Sequence, residues 1–112
     1  MNLSEKKYKE LYILQDKVLN LIKGKLGEFY LTGGTALGRY YLNHRYSEDL
    51  DFFIHNENTF LSEVQRIRNI IDSEFFSNTD KMILTQDFVR IWVVEHETEL
   101  KLDFVRDVPY HW

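Results

Sequence analysis

Apolar positions along the chain switch between two periods, and the switches mark the elements. In residues 4–27, "SEKKYKELYILQDKVLNLIKGKLG", Leu11, Leu14, Val18 and Leu21 recur at three- and four-residue steps, which predicts an amphipathic helix. Ser4 is its candidate N-cap, and Gly24 or Gly27 its candidate stop. "EFYLT" (28–32) is short, apolar and β-prone, and reads as a buried strand ending at a glycine pair. "GTALGRYYLNH" (34–44) returns to helical spacing through Ala36, Leu37, Tyr40, Tyr41 and His44, about three turns. "RYSE" is a turn, and "DLDFFIH" (49–55) a second strand. Residues 56–76 read as a long helix with Phe60, Leu61, Val64, Ile67, Ile70 and Ile71 as its apolar set. Three β-like segments follow, "KMILTQ" (81–86), "FVRIWVVEH" (88–96) and "ELKLDFVRD" (99–107), the last two joined by a hairpin at "EHETE". No repeat, linker or low-complexity tract interrupts the series. The expected architecture is a single α/β (α+β) domain over 1–112, a mixed β-sheet flanked by helices.

Composition narrows the class. With 112 residues, 44% hydrophobic and 15% aromatic, the chain can bury one real core without staples. It has no cysteine, which excludes a disulfide framework and thiolate zinc sites and fits a reducing compartment. The charged N-terminal stretch has no apolar core of a signal peptide, and no apolar run reaches the ~18 residues of a membrane span. The expectation is a cytoplasmic protein without a membrane partner. A formal net charge of -4 argues against a general nucleic-acid coat. A local basic rim remains open: Lys23, Lys25, Arg39, His44, Arg45, Arg66 and Arg68 are its candidates. For Lys23, Lys25, Arg66 and Arg68 a solvated charged face is the better reading. The four histidines, His44, His55, His96 and His111, are scattered without metal-ligand spacing, so zinc is not expected.

The chemistry lies in the acids. Residues i and i+2 of a strand share a face, so Asp49 and Asp51 stand side by side while Leu50 and Phe52 point inward. Two such carboxylates repel unless a proton or a divalent cation neutralises them, and hard oxygen donors suit Mg²⁺ or Mn²⁺. Asp103, between Leu102 and Phe104 in "LKLDFV", has the same context and joins the pair if the two strands are neighbours. Three convergent carboxylates around one or two cations suit nucleotidyl transfer, with the third acid as general base or metal ligand. "TGGTAL" opens a helix directly after a strand, where glycines let the backbone approach a ligand and free N–H groups favour phosphate. Gly33, Gly34 and Thr35 are therefore candidates for holding nucleotide phosphates, and Arg45 and Ser47 lie where they can also reach them. Each feature alone is weak: a glycine pair is usually a tight turn, and a D-x-D strand can be an edge-strand device against aggregation. Their order along the chain gives them weight together.

"GGTAL", "HRYSEDLDFFI" and "LKLDFV" together resemble the DNA polymerase β-like nucleotidyltransferase superfamily, with its glycine turn, acid-x-acid strand and third strand acid. Within it the chain is most similar to the AbiEii/AbiGii toxin-type nucleotidyltransferases, whose core reads "GGTAL", a variable helix, then R-x-S-x-D-x-D. The likeness runs over roughly residues 28–106. It implies transfer of a nucleoside monophosphate from an NTP with Mg²⁺ or Mn²⁺, to tRNA, another RNA or a protein. It implies Asp49, Asp51 and Asp103 as metal ligands and catalytic acids. It places Gly33, Gly34, Thr35, Arg45 and Ser47 at the nucleotide, and implies an antitoxin or helical partner protein. Family members usually continue past the third acid into a helical region, whereas this chain stops at "RDVPYHW". A fragment and a minimal domain that borrows a partner are both expectations. The alternatives are an antibiotic nucleotidyltransferase and a non-catalytic nucleotide- or partner-binding domain.

Overall fold

In the computed structural model, residues 3–27, 29–31, 49–55 and 58–106 are described. Helix α1 spans Leu3–Ile22. Strand β1 is Tyr30–Leu31, β2 is Leu50–Ile54 and helix α2 is Phe60–Asp72. Strand β3 is Phe76–Ser77, and a 3₁₀ turn over Thr79–Lys81 leads to β4, Ile83–Leu84. The long strands β5, Phe88–Glu95, and β6, Thr98–Arg106, close the described chain. No helix of the described residues is long and apolar enough to cross a membrane.

The sheet is mixed, in the order β1-β2-β6-β5-β3, with β4 also paired to β5. Strands β2 and β6 run parallel at its centre, and every other pairing is antiparallel. Alternation assigns the two faces. Leu50, Phe52 and Ile54 of β2, Val89, Ile91 and Val93 of β5, and Leu100, Leu102 and Phe104 of β6 are buried. They join Leu14, Val18 and Ile22 of α1 and Phe60, Val64, Ile67 and Ile71 of α2 in one core. At about 1.5–3 kcal/mol per buried large apolar side chain, this layer supplies the main drive to fold. The other face of the sheet carries Asp51, Arg90, Glu99, Lys101 and Asp103, with Phe53, Phe88, Trp92, Val94 and Val105 among them.

Several expected boundaries move. Ser4 lies inside the first turn of α1 and is not its N-cap, because the helix already includes Leu3. The helix stops at Ile22, Gly24 sits in the turn beyond it, and Gly27 takes a left-handed φ of 61° that favours glycine. The second described helix is shorter than 56–76. It starts at Phe60 and ends at Asp72, where Ser73 donates its hydroxyl to the Ile70 carbonyl at 2.6 Å. Phe76, expected in that helix, forms β3 instead and is 84% exposed. The predicted hairpin is present. Glu95 and Thr98 are register partners across a two-residue turn, with His96 at φ 57°. Strand β3 and the 3₁₀ turn are absent from the sequence reading. The predicted helix at 34–44 and the C-terminal stretch "VPYHW" lie outside the described residues.

Candidate active site

The parallel register of β2 on β6 pairs Leu50 with Leu102, Asp51 with Asp103 and Phe52 with Phe104. The buried partners on either side hold the two aspartates on the opposite face of the sheet. The next pairing, β6 with β5, sets Arg90 opposite Asp103. Asp51, Asp103 and Arg90 thus form a row across three strands. Asp49, just ahead of β2, and Lys101, two residues before Asp103, flank it on the same face.

Asp103 is the only charged residue among the buried described residues, 7% exposed. Arg90 meets it with two bonds: Nε donates to Oδ1 at 2.8 Å and Nη2 to Oδ2 at 3.1 Å. This is the fork geometry in which a guanidinium holds a carboxylate most firmly. The bond to Asp103 is also the main reason why the Arg90 pKa lies above the ordinary guanidinium value. Lys101 Nζ lies 2.9 Å from Asp49 Oδ2 and 3.7 Å from Asp103 Oδ2.

Asp51 is the uncompensated acid. Desolvation pushes its pKa up, and repulsion from Asp103 and then Asp49 adds to the rise, against opposing pulls from Lys101 and Arg90. Among the described residues three carboxylates face two cations, and the excess negative charge falls where a bound cation would meet it. The donor set is all hard oxygen, and so fits Mg²⁺ or Mn²⁺ in kind. Among the described residues no three acids or histidines are grouped so that they could hold a metal ion, and Lys101 and Arg90 pair with Asp49 and Asp103. Asp49, Asp51 and Asp103 thus supply oxygen donors of the right kind, with Asp51 the one that no ion pair among the described residues holds.

Of the residues expected at the site, the structure brings together Asp49, Asp51 and Asp103. Gly33, Gly34, Thr35, Arg45 and Ser47 lie outside the described residues, as do Arg39 and His44. Arg90 and Lys101 are the residues that the sequence reading missed. Their signal was the one that marked Asp103: a charge between two apolar residues of a strand, "VRI" and "LKL".

Of the described members of the basic rim, Lys25, Arg66 and Arg68 make local structural contacts. Arg66 pairs with Glu63 at 2.7 Å and donates Nη1 to the Lys25 carbonyl at 2.6 Å. Lys25 Nζ donates to the Leu21 carbonyl at 3.1 Å, at the end of α1, and Arg68 pairs with Asp72 at 3.6 Å. A concavity of about 590 Å³ between α1 and the β5–β6 turn is lined by Glu10, Glu95 and Glu97 and by Lys17.

Comparison with curated proteins found no match, and comparison with solved structures found none either. The family described as "Nucleotidyl transferase AbiEii toxin, Type IV TA system" matches residues 22–110, a span that takes in the glycine pair, Asp49, Asp51 and Asp103. The chain belongs to the AbiEii toxin family of nucleotidyl transferases.

Proposed function

We propose that this domain transfers a nucleoside monophosphate from an Mg²⁺-bound NTP to an RNA, with tRNA the first candidate, or to a protein acceptor, and that it acts as a toxin held in check by an antitoxin. Membership of a type IV toxin–antitoxin family supports the toxin and antitoxin parts of this reading. The observation that carries the chemistry is the Asp51–Asp103 pairing on one sheet face, with Asp49 beside it.

Asp49 and Asp51 hold the divalent cation, which is why Asp51 is left undercompensated when none is bound. When bound, the cation neutralises the triphosphate and makes the attacking hydroxyl more acidic. Asp103, fixed by Arg90, supplies a third oriented negative charge next to Asp51. By the family motif, Gly33, Gly34 and Thr35 are the phosphate-binding residues of this reading, and Arg45 and Ser47 offer a positive charge and a hydroxyl to the same nucleotide.

The test is calorimetry with each of the four NTPs in Mg²⁺, on the wild type and on Asp51→Asn, followed by transfer of label from an α-labelled NTP to total tRNA. Binding that needs Mg²⁺ and is lost in Asp51→Asn is the expected result. A well-folded protein that binds no NTP would end the reading of this chain as a transferase in its own right.

A further inference from the structure

Lys101 stands in an unusual place for a lysine. Leu100 and Leu102 on either side of it are fully buried, and its own side chain is only 20% exposed. Long cationic side chains ordinarily reach for water. This one turns to Asp49 at 2.9 Å. Its second acid, Asp103, is farther away at 3.7 Å and already receives two hydrogen bonds from Arg90. Asp103 therefore has its counter-charge without Lys101, and the lysine's principal charge partner is Asp49.

The two cations also differ in kind. The Arg90 fork is locked on both oxygens of Asp103 and stacks over the Phe88 ring at 5.3 Å. Lys101 offers a point charge on a flexible stem, which can leave one oxygen for another at little geometric cost. Lys81, the other lysine near this face, is already engaged with Glu99 at 3.0 Å and lies over the Trp92 ring at 4.5 Å.

We infer that Lys101 is the resident counter-ion of the site: it holds Asp49 while no nucleotide is bound, is displaced from Asp49 by the arriving divalent cation, and then pairs with a triphosphate oxygen. This rests on the nucleotidyl-transfer reading above. A bare cation must compete with an ammonium tethered beside its ligand. A cation that arrives with a triphosphate gives that ammonium a new partner. Lys101 thereby makes the site discriminate between free metal and metal–nucleotide, and no bond is made or broken in the exchange.

The experiment measures Mn²⁺ binding by electron paramagnetic resonance, with Mn²⁺ alone and with Mn²⁺ plus each NTP, on the wild type, Lys101→Met, Lys101→Gln and Lys81→Met. Circular dichroism checks the fold of each variant. Loss of one charge pair predicts roughly tenfold tighter binding of bare Mn²⁺ in both Lys101 variants and roughly tenfold weaker binding of Mn²⁺–NTP. Lys81→Met should move neither constant. A lysine with a purely structural role would not shift the two affinities in opposite directions. If the wild type binds Mn²⁺–NTP but neither Lys101 variant gains affinity for bare Mn²⁺, the role of Lys101 falls and the transfer reading stands. If the wild type binds no Mn²⁺–NTP, the transfer reading itself falls.

Discussion

Asp51 and Asp103 face each other directly across two parallel strands, and Arg90 faces Asp103 from the other side. Like charges opposite one another destabilise a sheet, and one arginine cannot serve two carboxylates equally. Arg90 serves Asp103, the more buried, and leaves Asp51 with the cost.

Asp51→Asn should therefore stabilise the metal-free fold while removing metal–nucleotide binding. The pH dependence carries a sign. The Asp51 carboxyl has a raised pKa in the folded state, so the folded protein holds this proton more tightly than the unfolded chain does. Stability is then lost as pH rises from the unfolded value, about 4, through the folded one, and the penalty is complete above it. At pH 7 Asp51→Asn should melt a few degrees higher than the wild type, as a gain of about 1 kcal/mol or less gives a domain of this length. The two melting curves should converge below about pH 4. Thermal melts across pH in a metal-free buffer read this directly, and a gain that persists at low pH would contradict the assignment.

Arg90→Met leaves Asp103 largely buried without its fork. The pair lies between exposed ion pairs, worth up to about 1 kcal/mol, and buried ones, whose breaking costs about 3–5 kcal/mol. Denaturant melts should show a loss of about 2–3 kcal/mol for Arg90→Met. Much of that should be recovered in Arg90→Met combined with Asp103→Leu, because the uncompensated charge is gone. Two single losses that simply add would mean that the residues do not act as a pair.

The strand face of Asp49 and Asp51 was legible because a period of two needs no tertiary information: Leu50 and Phe52 had to point inward, so the aspartates pointed out. The neighbouring place of Asp103 was legible only as a condition, since nothing local says which strands pair. The same local signal lay at Arg90 and Lys101, but its meaning depended on register, and register is set by the whole sheet. The helices α1 and α2 were legible from Leu14, Val18, Phe60, Val64, Ile67 and Ile71, which all proved buried. The end of α2 was not. "SEFF" continues an apolar pattern, but β5 offers Phe76 and Ser77 a ladder, and pairing with Val94 and Val93 wins. Strands β1 and β4 were legible as the β-prone runs 28–32 and 81–86, though each proved only two residues long; β3, also two residues, was not, because only the ladder on β5 marks it.

Gly27 and Gly24 offer a matched pair of substitutions. Gly27 has φ 61°, and a Cβ built there would lie 2.7 Å from Glu63 Oε2 and 2.9 Å from Arg66 Nη2. Alanine would bring backbone strain and would also push apart the Glu63–Arg66 pair, whose arginine ties the chain at Lys25 to α2. Gly27→Ala should cost about 1–3 kcal/mol. Gly24 has open space around its Cβ position and no positive φ, so Gly24→Ala should be neutral or gain up to about 1 kcal/mol. Equal effects at the two sites in urea melts would contradict the left-handed turn.

The last prediction concerns what holds the acid row in register. Phe52 and Phe104 flank the Asp51–Asp103 pair on the core side as the next register partners, both fully buried, with rings stacked 5.1 Å apart. Phe29 meets Phe104 edge-on at 5.4 Å and so joins the same aromatic cluster. Truncating Phe104 to alanine should cost about 3–5 kcal/mol, a large share of the total stability of a domain of this size. Phe104→Leu keeps most of the volume and should cost about 1–2 kcal/mol. The position of Phe104 directly after Asp103 adds a second, separable consequence. Loosening Phe104 lets β6 shift against β2, so Phe104→Leu should weaken Mg²⁺–NTP binding even at temperatures where it is fully folded. Calorimetry on folded Phe104→Leu, beside an Ile71→Val control in the same core but on α2, separates the two effects. A loss of binding no greater than in the control would show that the acid pair is held by its own ion pairs, and not by the core beneath it.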